Sequence, residues 1–117
     1  MTSVQVLPFG SSAARAVEAY DAQRMTTVAL GSGSGEAHVS VARFEPGGDI
    51  GAHVTGFGQL FIVVEGDGWV SGDDDVRVPV ATGQAAFFPR GRRHAKGSET
   101  GMTAVMVQVF DLAPDRA

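Results

Sequence analysis

Three histidines, His38, His53 and His94, are the residues of this sequence with the clearest capacity to bind a metal ion or to form a polar ligand site. The chain has no cysteine, which excludes a thiolate metal site, a disulfide framework and a cysteine nucleophile. Any metal site would therefore use imidazole, carboxylate or amide ligands.

The three histidines differ in their surroundings. His53 precedes Thr55 by two residues, which places both side chains on the same side of a strand. Gln59 begins the next predicted strand, and His94 lies where a loop rich in glycine and arginine passes into a strand. His38 belongs to no motif, so we expect it to be a surface or partly buried structural histidine.

Short segments rich in β-branched and aromatic residues, separated by turn residues, predict an all-β sandwich or barrel. The predicted strands are 25–30, 36–44, 59–64, 68–71, 76–80, 85–88 and 103–110. Residues 31–35, rich in glycine and serine, are expected to form a flexible hairpin loop, and residues 11–23 either a helix or an extended edge segment. The length and the lack of repeats or linkers predict one domain, 1–117.

The segment 59–64 is apolar on both of its faces. Leu60, Ile62 and Val64 alternate with Phe61 and Val63, so we expect both sets to be buried. Something must then cover the outer face, either a second sheet of the same chain or a second copy of the chain. Because two-fold dimers are the commonest oligomers, we expect a homodimer.

The spacing of ten residues resembles the two sequence motifs of the cupin family. Motif 1 spans about 47–66 and motif 2 about 83–98, and every gap within them agrees with the family pattern. The matching positions are Gly47, His53, Gly66, Gly83, Pro89, Gly91 and His94; the departures are Thr55, Gln59 and Ser98. The resemblance implies a small single-domain bacterial cupin, whose fold is an all-β double-stranded β-helix, the jelly-roll barrel.

In cupins of full pattern, three histidines and one glutamate hold a divalent metal inside the barrel. Carried over to this sequence, the resemblance implies a metal site of His53, Gln59 and His94, with Thr55 or water completing the shell. Thr55 stands in place of a histidine and Gln59 in place of the glutamate. A neutral amide does not offset the charge of the ion, so we expect Zn, Ni, Fe or Mn to be weakly held. The alternative is a metal-free cluster of hydrogen-bonded side chains.

Other side chains are candidates to line or guard the pocket. The lining candidates are Thr55, Phe57, Phe61 and Phe88. Core packing is the alternative role for the aromatic residues, and Phe57, on a glycine-flanked turn, is the best candidate for a gate. Four of the nine basic residues cluster around His94: Arg90, Arg92, Arg93 and Lys96. They form either an ordinary solvated loop or an electropositive rim that steers an anionic small molecule.

The formal charge of -4, from 9 basic and 13 acidic residues, argues against a nucleic-acid partner. The first ten residues lack the features of a signal peptide and no apolar run is long enough to span a membrane, so we expect a cytoplasmic protein without a membrane partner. Two functions remain open. One is binding of a small organic molecule with a weakly held metal that supports isomerase-, cyclase- or oxygenase-like chemistry, and the other is a metal-free, non-catalytic ligand-binding or structural dimeric module.

Overall fold

The computed structural model describes residues 4–115, which consist largely of β-strands. The strands are β1 (Gln5–Pro8), β2 (Arg15–Ala16), β3 (Thr26–Thr27), β4 (Gly31–Phe44), β5 (Asp49–Val54), β6 (Gly58–Ser71), β7 (Arg77–Ala81), β8 (Gln84–Phe88), β9 (Arg93–Gly97) and β10 (Met102–Pro114). Two short 3₁₀ helices, Ser11–Ala13 and Ala19–Asp21, lie near the N-terminus. Within 4–115, no helix is long and apolar enough to cross a membrane.

Apart from β2 and β3, which pair only with each other, the strands build two sheets that share β6. Sheet I has the order β1-β8-β6-β10-β4, and sheet II contains β5, β9, the second half of β6 and β7. All of these pairings are antiparallel. The bend that carries β6 between the sheets lies at Gly66, which has a φ of +77°. A Cβ atom there would lie 2.2 Å from the carbonyl oxygen of Gly101, so only glycine fits.

The core lies between the two sheets. Phe61, Val63 and Phe88 of sheet I pack in one apolar cluster with Val70 and Val80 of sheet II. This arrangement confirms the expected all-β jelly-roll barrel. It also explains why inward-facing polar side chains of the barrel are out of contact with water.

Most of the predicted strands are found, with altered bounds. The predicted segments 36–44, 85–88 and 103–110 lie within β4, β8 and β10. The segments 59–64 and 68–71 are the two halves of the single strand β6, and 76–80 is shifted by one residue into β7. The sequence did not predict β1 or β9, and β5 was recognised only as the strand of His53.

Three expectations near the N-terminus are corrected. Residues 31–35 are not a loop but the start of β4, because β10 extends to Pro114 and pairs with them. Of the predicted strand 25–30, only β3 remains. Residues 11–23 form neither a helix nor a continuous strand, since positive φ values of 58° at Tyr20 and 57° at Asp21 interrupt the chain.

The two-sided apolar pattern of β6 is confirmed on its inner face, where Phe61 and Val63 are fully buried. On the outer face, Leu60 is buried at 5% exposure, and its side chain lies close to Gly31. Ile62 and Val64 depart from the expectation, because Ile62 is half-buried and Val64 is 47% exposed. The outer face is thus covered at Leu60, beside the start of β4, and open at Val64.

Candidate functional site

Gln59 lies on the inner face of sheet I, at the start of β6. Its neighbours in register are Phe88 of β8 and Gln108 of β10. The residue is 4% exposed, and its side-chain oxygen Oε1 is buried without a hydrogen-bond partner in residues 4–115. An amide oxygen in this situation is an acceptor available to a ligand or to ordered water.

His94 faces the interior from β9 in sheet II and is 1% exposed. Both of its ring nitrogens are buried and have no partner in the described part of the chain. The centre of its ring lies 4.5 Å from that of Phe88. Burial first, and then the charges of Lys96 and His53, lower the pKa of His94 to about 3. The imidazole is therefore neutral at pH 7 and offers one donor and one acceptor.

His53 stands opposite His94 at the outer edge of the site. The two residues are register partners on β5 and β9, and their ring centres are 4.8 Å apart. The Nδ1 atom of His53 donates to the carbonyl oxygen of Gly51 at 2.8 Å, which leaves Nε2 as the acceptor of the neutral ring. His53 is exposed, so it forms the boundary between the buried His94 and solvent.

Thr55 is buried but shapes a turn. Its Oγ1 accepts a hydrogen bond from the backbone N–H of Phe57 at 3.3 Å, and its carbonyl accepts one from Gly91 at 2.8 Å. These bonds hold together the two loops that carry motif 1 and motif 2. Thr55 thus positions Phe57.

Phe57 lies next to His38, which is the first member of a row of register partners that runs through Gln108 to Gln59. Its ring meets that of His38 edge-on, with 5.3 Å between the centres. His38 pairs in register with Gln108, which pairs in turn with Gln59. His38 is exposed and bonds to Glu36 at 2.6 Å, as expected for a structural histidine. Phe57 is therefore half-buried beside His38, in the same row of side chains as Gln59.

The residue that sequence analysis misplaced is Lys96. It is 3% exposed, and its Nζ lies 5.0 Å from the ring centre of Phe88 and 5.2 Å from that of Phe61. Residues 4–115 provide it with no hydrogen bond or ion pair. Burial lowers the pKa of Lys96 to about 8, so the ammonium form still predominates at pH 7. The available signal was its position two residues after His94, which places both side chains on one face of the strand.

The three arginines of the basic cluster lie outside the barrel. Each has an exposed side chain and faces an aspartate: Arg90 with Asp111, Arg92 with Asp73 and Arg93 with Asp75. The aspartates offset their charge, so the arginines do not form the free electropositive rim that was one of the two sequence-based interpretations. The structure thus separates Lys96, inside the barrel, from the arginines at its surface.

Comparisons with known proteins agree with this architecture. The model of the cupin domain family matches residues 40–110, more than half of the chain. The chain belongs to the cupin family. A search of curated proteins finds no match.

Among solved structures, this cupin is similar to an RmlC-like cupin from Shewanella frigidimarina, with 25% identity and a TM-score of 0.59 over 62% of this chain and 65% of the other. It also resembles a conserved protein of unknown function from Streptococcus pyogenes, with 22% identity and a TM-score of 0.60 over 65% and 66%. A predicted oxalate decarboxylase from Thermotoga maritima matches with 20% identity and a TM-score of 0.56 over 61% and 64%. The aligned part of this cupin thus spans just under two thirds of each of these chains.

Two cavities of this cupin lie away from the histidines. One, of about 330 Å³, is lined by residues that include Leu7, Arg15 and Val28. The other, of about 480 Å³, lies beside it and extends to Ile62 on the outer face of β6. Neither lining contains a histidine, so neither cavity is part of the site built by the two motifs.

The family pattern implies a metal, and the side chains of this cupin do not fit a tightly held divalent ion. His53 and His94 face each other as a ligand pair requires, but the third candidate donor, Gln59, is a neutral amide. No group of three or more His, Cys, Asp or Glu side chains in 4–115 is arranged to hold a metal. The buried ammonium of Lys96 adds a positive charge where a metal site needs a negative one. The metal inferred from the resemblance stays a prediction.

Proposed function

We propose that this cupin binds a small organic molecule between its two sheets and does so without a resident metal ion. The observation that carries the proposal is the set of three buried, unpartnered polar atoms: Oε1 of Gln59 and both ring nitrogens of His94. A buried polar group without a hydrogen bond costs about 1–3 kcal/mol. A bound molecule that supplies the missing donors and acceptors offsets this cost.

The chemistry of these atoms describes the molecule they fit. Neutral His94 offers one donor and one acceptor, and Gln59 offers an acceptor. The rings of Phe61 and Phe88 are fully buried next to them and form apolar walls. A few convergent polar groups on apolar walls are the usual composition of a small-molecule site. The ligand is therefore a compact molecule with polar groups at one end.

Access to these atoms requires movement at one end of the barrel. His94 and Gln59 are almost completely buried, whereas Phe57 is half-buried and lies on a turn between two glycines. A Cβ at Gly56 would have no neighbour within 4 Å, so the turn is not packed against other parts of the chain on that side. Displacement of the Phe57 ring would therefore open a route into the barrel beside Gln59.

Nuclear magnetic resonance of the isotope-labelled protein tests the proposal with four probes: acetate, acetamide, benzoate and benzamide. We expect at least one probe, at millimolar concentration, to shift the side-chain signals of Gln59 and His94. The matched control is the Gln59→Leu/His94→Phe double variant, which keeps a branched or planar side chain of similar shape at each position but removes the polar atoms.

Binding should be lost in this variant while its spectrum remains that of a folded protein. The proposal is wrong if none of the four probes moves the Gln59 and His94 signals. It is also wrong if the shifts fall instead on Val28 and Ile62, which line the cavities outside the barrel.

A further inference from the structure

We infer that the molecule bound in the barrel is a small carboxylate and that the ammonium of Lys96 is the group that pairs with it. This inference rests on the proposed function of the barrel and adds the chemical class of the ligand. It depends on a residue that lies outside both the implied metal-ligand set and the ten motif positions.

Nothing in the described chain pairs with the charge of Lys96. Lys96 is 3% exposed, and residues 4–115 give its Nζ neither a carboxylate nor a hydrogen-bond acceptor. Within the described residues, the positive charge of Lys96 is balanced only by the faces of two aromatic rings, whose centres lie 5.2 Å (Phe61) and 5.0 Å (Phe88) from Nζ. Phenylalanine is not the strongest aromatic partner for a cation, and a buried charge without a counter-charge is costly. A purely structural role at this position would favour methionine or leucine.

The unpaired charge of Lys96 and the unpaired polar atoms of Gln59 and His94 lie close together. Phe88 touches both, since its ring centre is 5.0 Å from the Nζ of Lys96 and 4.5 Å from the ring centre of His94. Gln59 is the register partner of Phe88 on the adjacent strand. A carboxylate beside the Phe88 ring would thus accept hydrogen bonds from both Lys96 and the N–H of His94. The Oε1 of Gln59 and the second ring nitrogen of His94 are acceptors, so their donors would come from another group of the ligand or from ordered water.

The amount of charge in the barrel also favours a carboxylate. Within residues 4–115, the ammonium of Lys96 lies between the sheets beside Phe88, whereas Arg92 and Arg93 lie outside the barrel and pair with aspartates. One monoanion balances this charge. A phosphate dianion would leave a second negative charge buried without a partner, and a neutral molecule would leave the ammonium unpaired.

The test compares acids with amides of nearly the same shape. Acetate against acetamide, and benzoate against benzamide, are titrated at pH 7 in a buffer free of phosphate and carboxylates, with inorganic phosphate as a third arm. The wild-type protein should bind at least one acid about tenfold or more tightly than its amide, because a hydrogen bond to a charged partner is stronger than a neutral one. Lys96→Met, which keeps a linear apolar side chain, should lose this preference.

Arg92→Gln is the matched control, since it removes a cation at the surface of the barrel and should leave the preference unchanged. Equal binding of acid and amide, persistence of the preference in Lys96→Met, or tighter binding of phosphate than of either acid would overturn the inference. In each of these cases, binding at Gln59 and His94 would survive. If no acid or amide shifts the Gln59 and His94 signals, the proposed function itself fails.

Discussion

Lys96 and His94 stand two residues apart on one strand and lie against the same ring, that of Phe88. One carries a positive charge and the other is neutral at pH 7, and neither has a hydrogen-bond partner in residues 4–115. The barrel interior is where the proposed ligand would be held. The pair therefore links the electrostatics of the site to its proposed ligand.

Removing the buried charge should stabilise the protein. The pKa of Lys96 is lowered from 10.5 to about 8 by burial, which means that the folded state holds this proton less tightly than the unfolded state. We expect Lys96→Met to raise the free energy of unfolding at pH 7 by about 1–3 kcal/mol, as measured by urea denaturation.

The gain should shrink as the pH rises from 8 towards 10.5, because the folded wild-type protein then loses the proton before the unfolded chain does. A less stable Lys96→Met variant at pH 7 would show that the ammonium is a structural element.

His94 should make the protein sensitive to acid. Its folded pKa of about 3 lies below the ordinary value of 6.5, so its contribution to stability is complete above about pH 6.5 and is lost as the pH falls towards 3. Over this range, the unfolding free energy should fall by up to about 1.4 kcal/mol for each pH unit.

The difference in unfolding free energy between wild type and His94→Gln, measured from pH 4 to pH 7, isolates this contribution because glutamine does not titrate. Parallel profiles over that range would contradict a depressed pKa of His94.

Metal analysis by plasma mass spectrometry tests whether the barrel holds an ion. For protein purified without a His tag, we expect metal far below one equivalent, and the same amount in the His53→Ala/His94→Ala double variant. Gln59→Glu should raise the affinity for zinc or nickel, because it restores the missing carboxylate and offsets the charge of Lys96. Near-stoichiometric metal in the wild type that disappears in the double variant would restore the metal-binding hypothesis.

Phe57→Ala tests the gate. The ring of Phe57 contacts that of His38, and its displacement would open the proposed route into the barrel beside Gln59, so its removal should raise the association and dissociation rates of benzoate together, several-fold, with little change in affinity. Relaxation-dispersion or line-shape measurements by nuclear magnetic resonance give both rates. If affinity falls while the association rate is unchanged, Phe57 is a wall of the pocket.

The homodimer expected from the sequence is tested at the outer face of sheet I. Val39 and Val41 of β4 are 70% and 55% exposed, and they lie beside Val107 and Val105 of β10 in register. An apolar face of this kind is typical of a protein–protein contact. Sedimentation should give a dimer for the wild type and a monomer for Val39→Asp/Val41→Asp. A wild-type monomer would contradict the expected homodimer.

The barrel and the position of two histidines could be predicted from the sequence because glycine, proline and histidine occur at fixed spacings, and because turns and strand alternation are local properties. The placement of His53 opposite His94 follows from those spacings once the barrel is known.

The features that the sequence did not predict depend on long-range pairing. Residues 31–35 have the composition of a loop and become a strand because residues near Pro114 pair with them. In the sequence, Lys96 is one of four basic residues that could belong to a loop. In the structure, β9 pairs with β5 and β6, and this pairing places the side chain of Lys96 between the sheets. The aspartates that neutralise Arg92 and Arg93 likewise come from a distant turn.

The most direct test of this account is a crystal structure of the protein grown with benzoate and, in parallel, of Lys96→Met under the same conditions. The account predicts that the carboxylate lies between the sheets in the wild type, within hydrogen-bond distance of the Nζ of Lys96 and of a ring nitrogen of His94, and that it is absent from the variant. A metal ion on His53 and His94, or a barrel filled by water alone in both crystals, would contradict it.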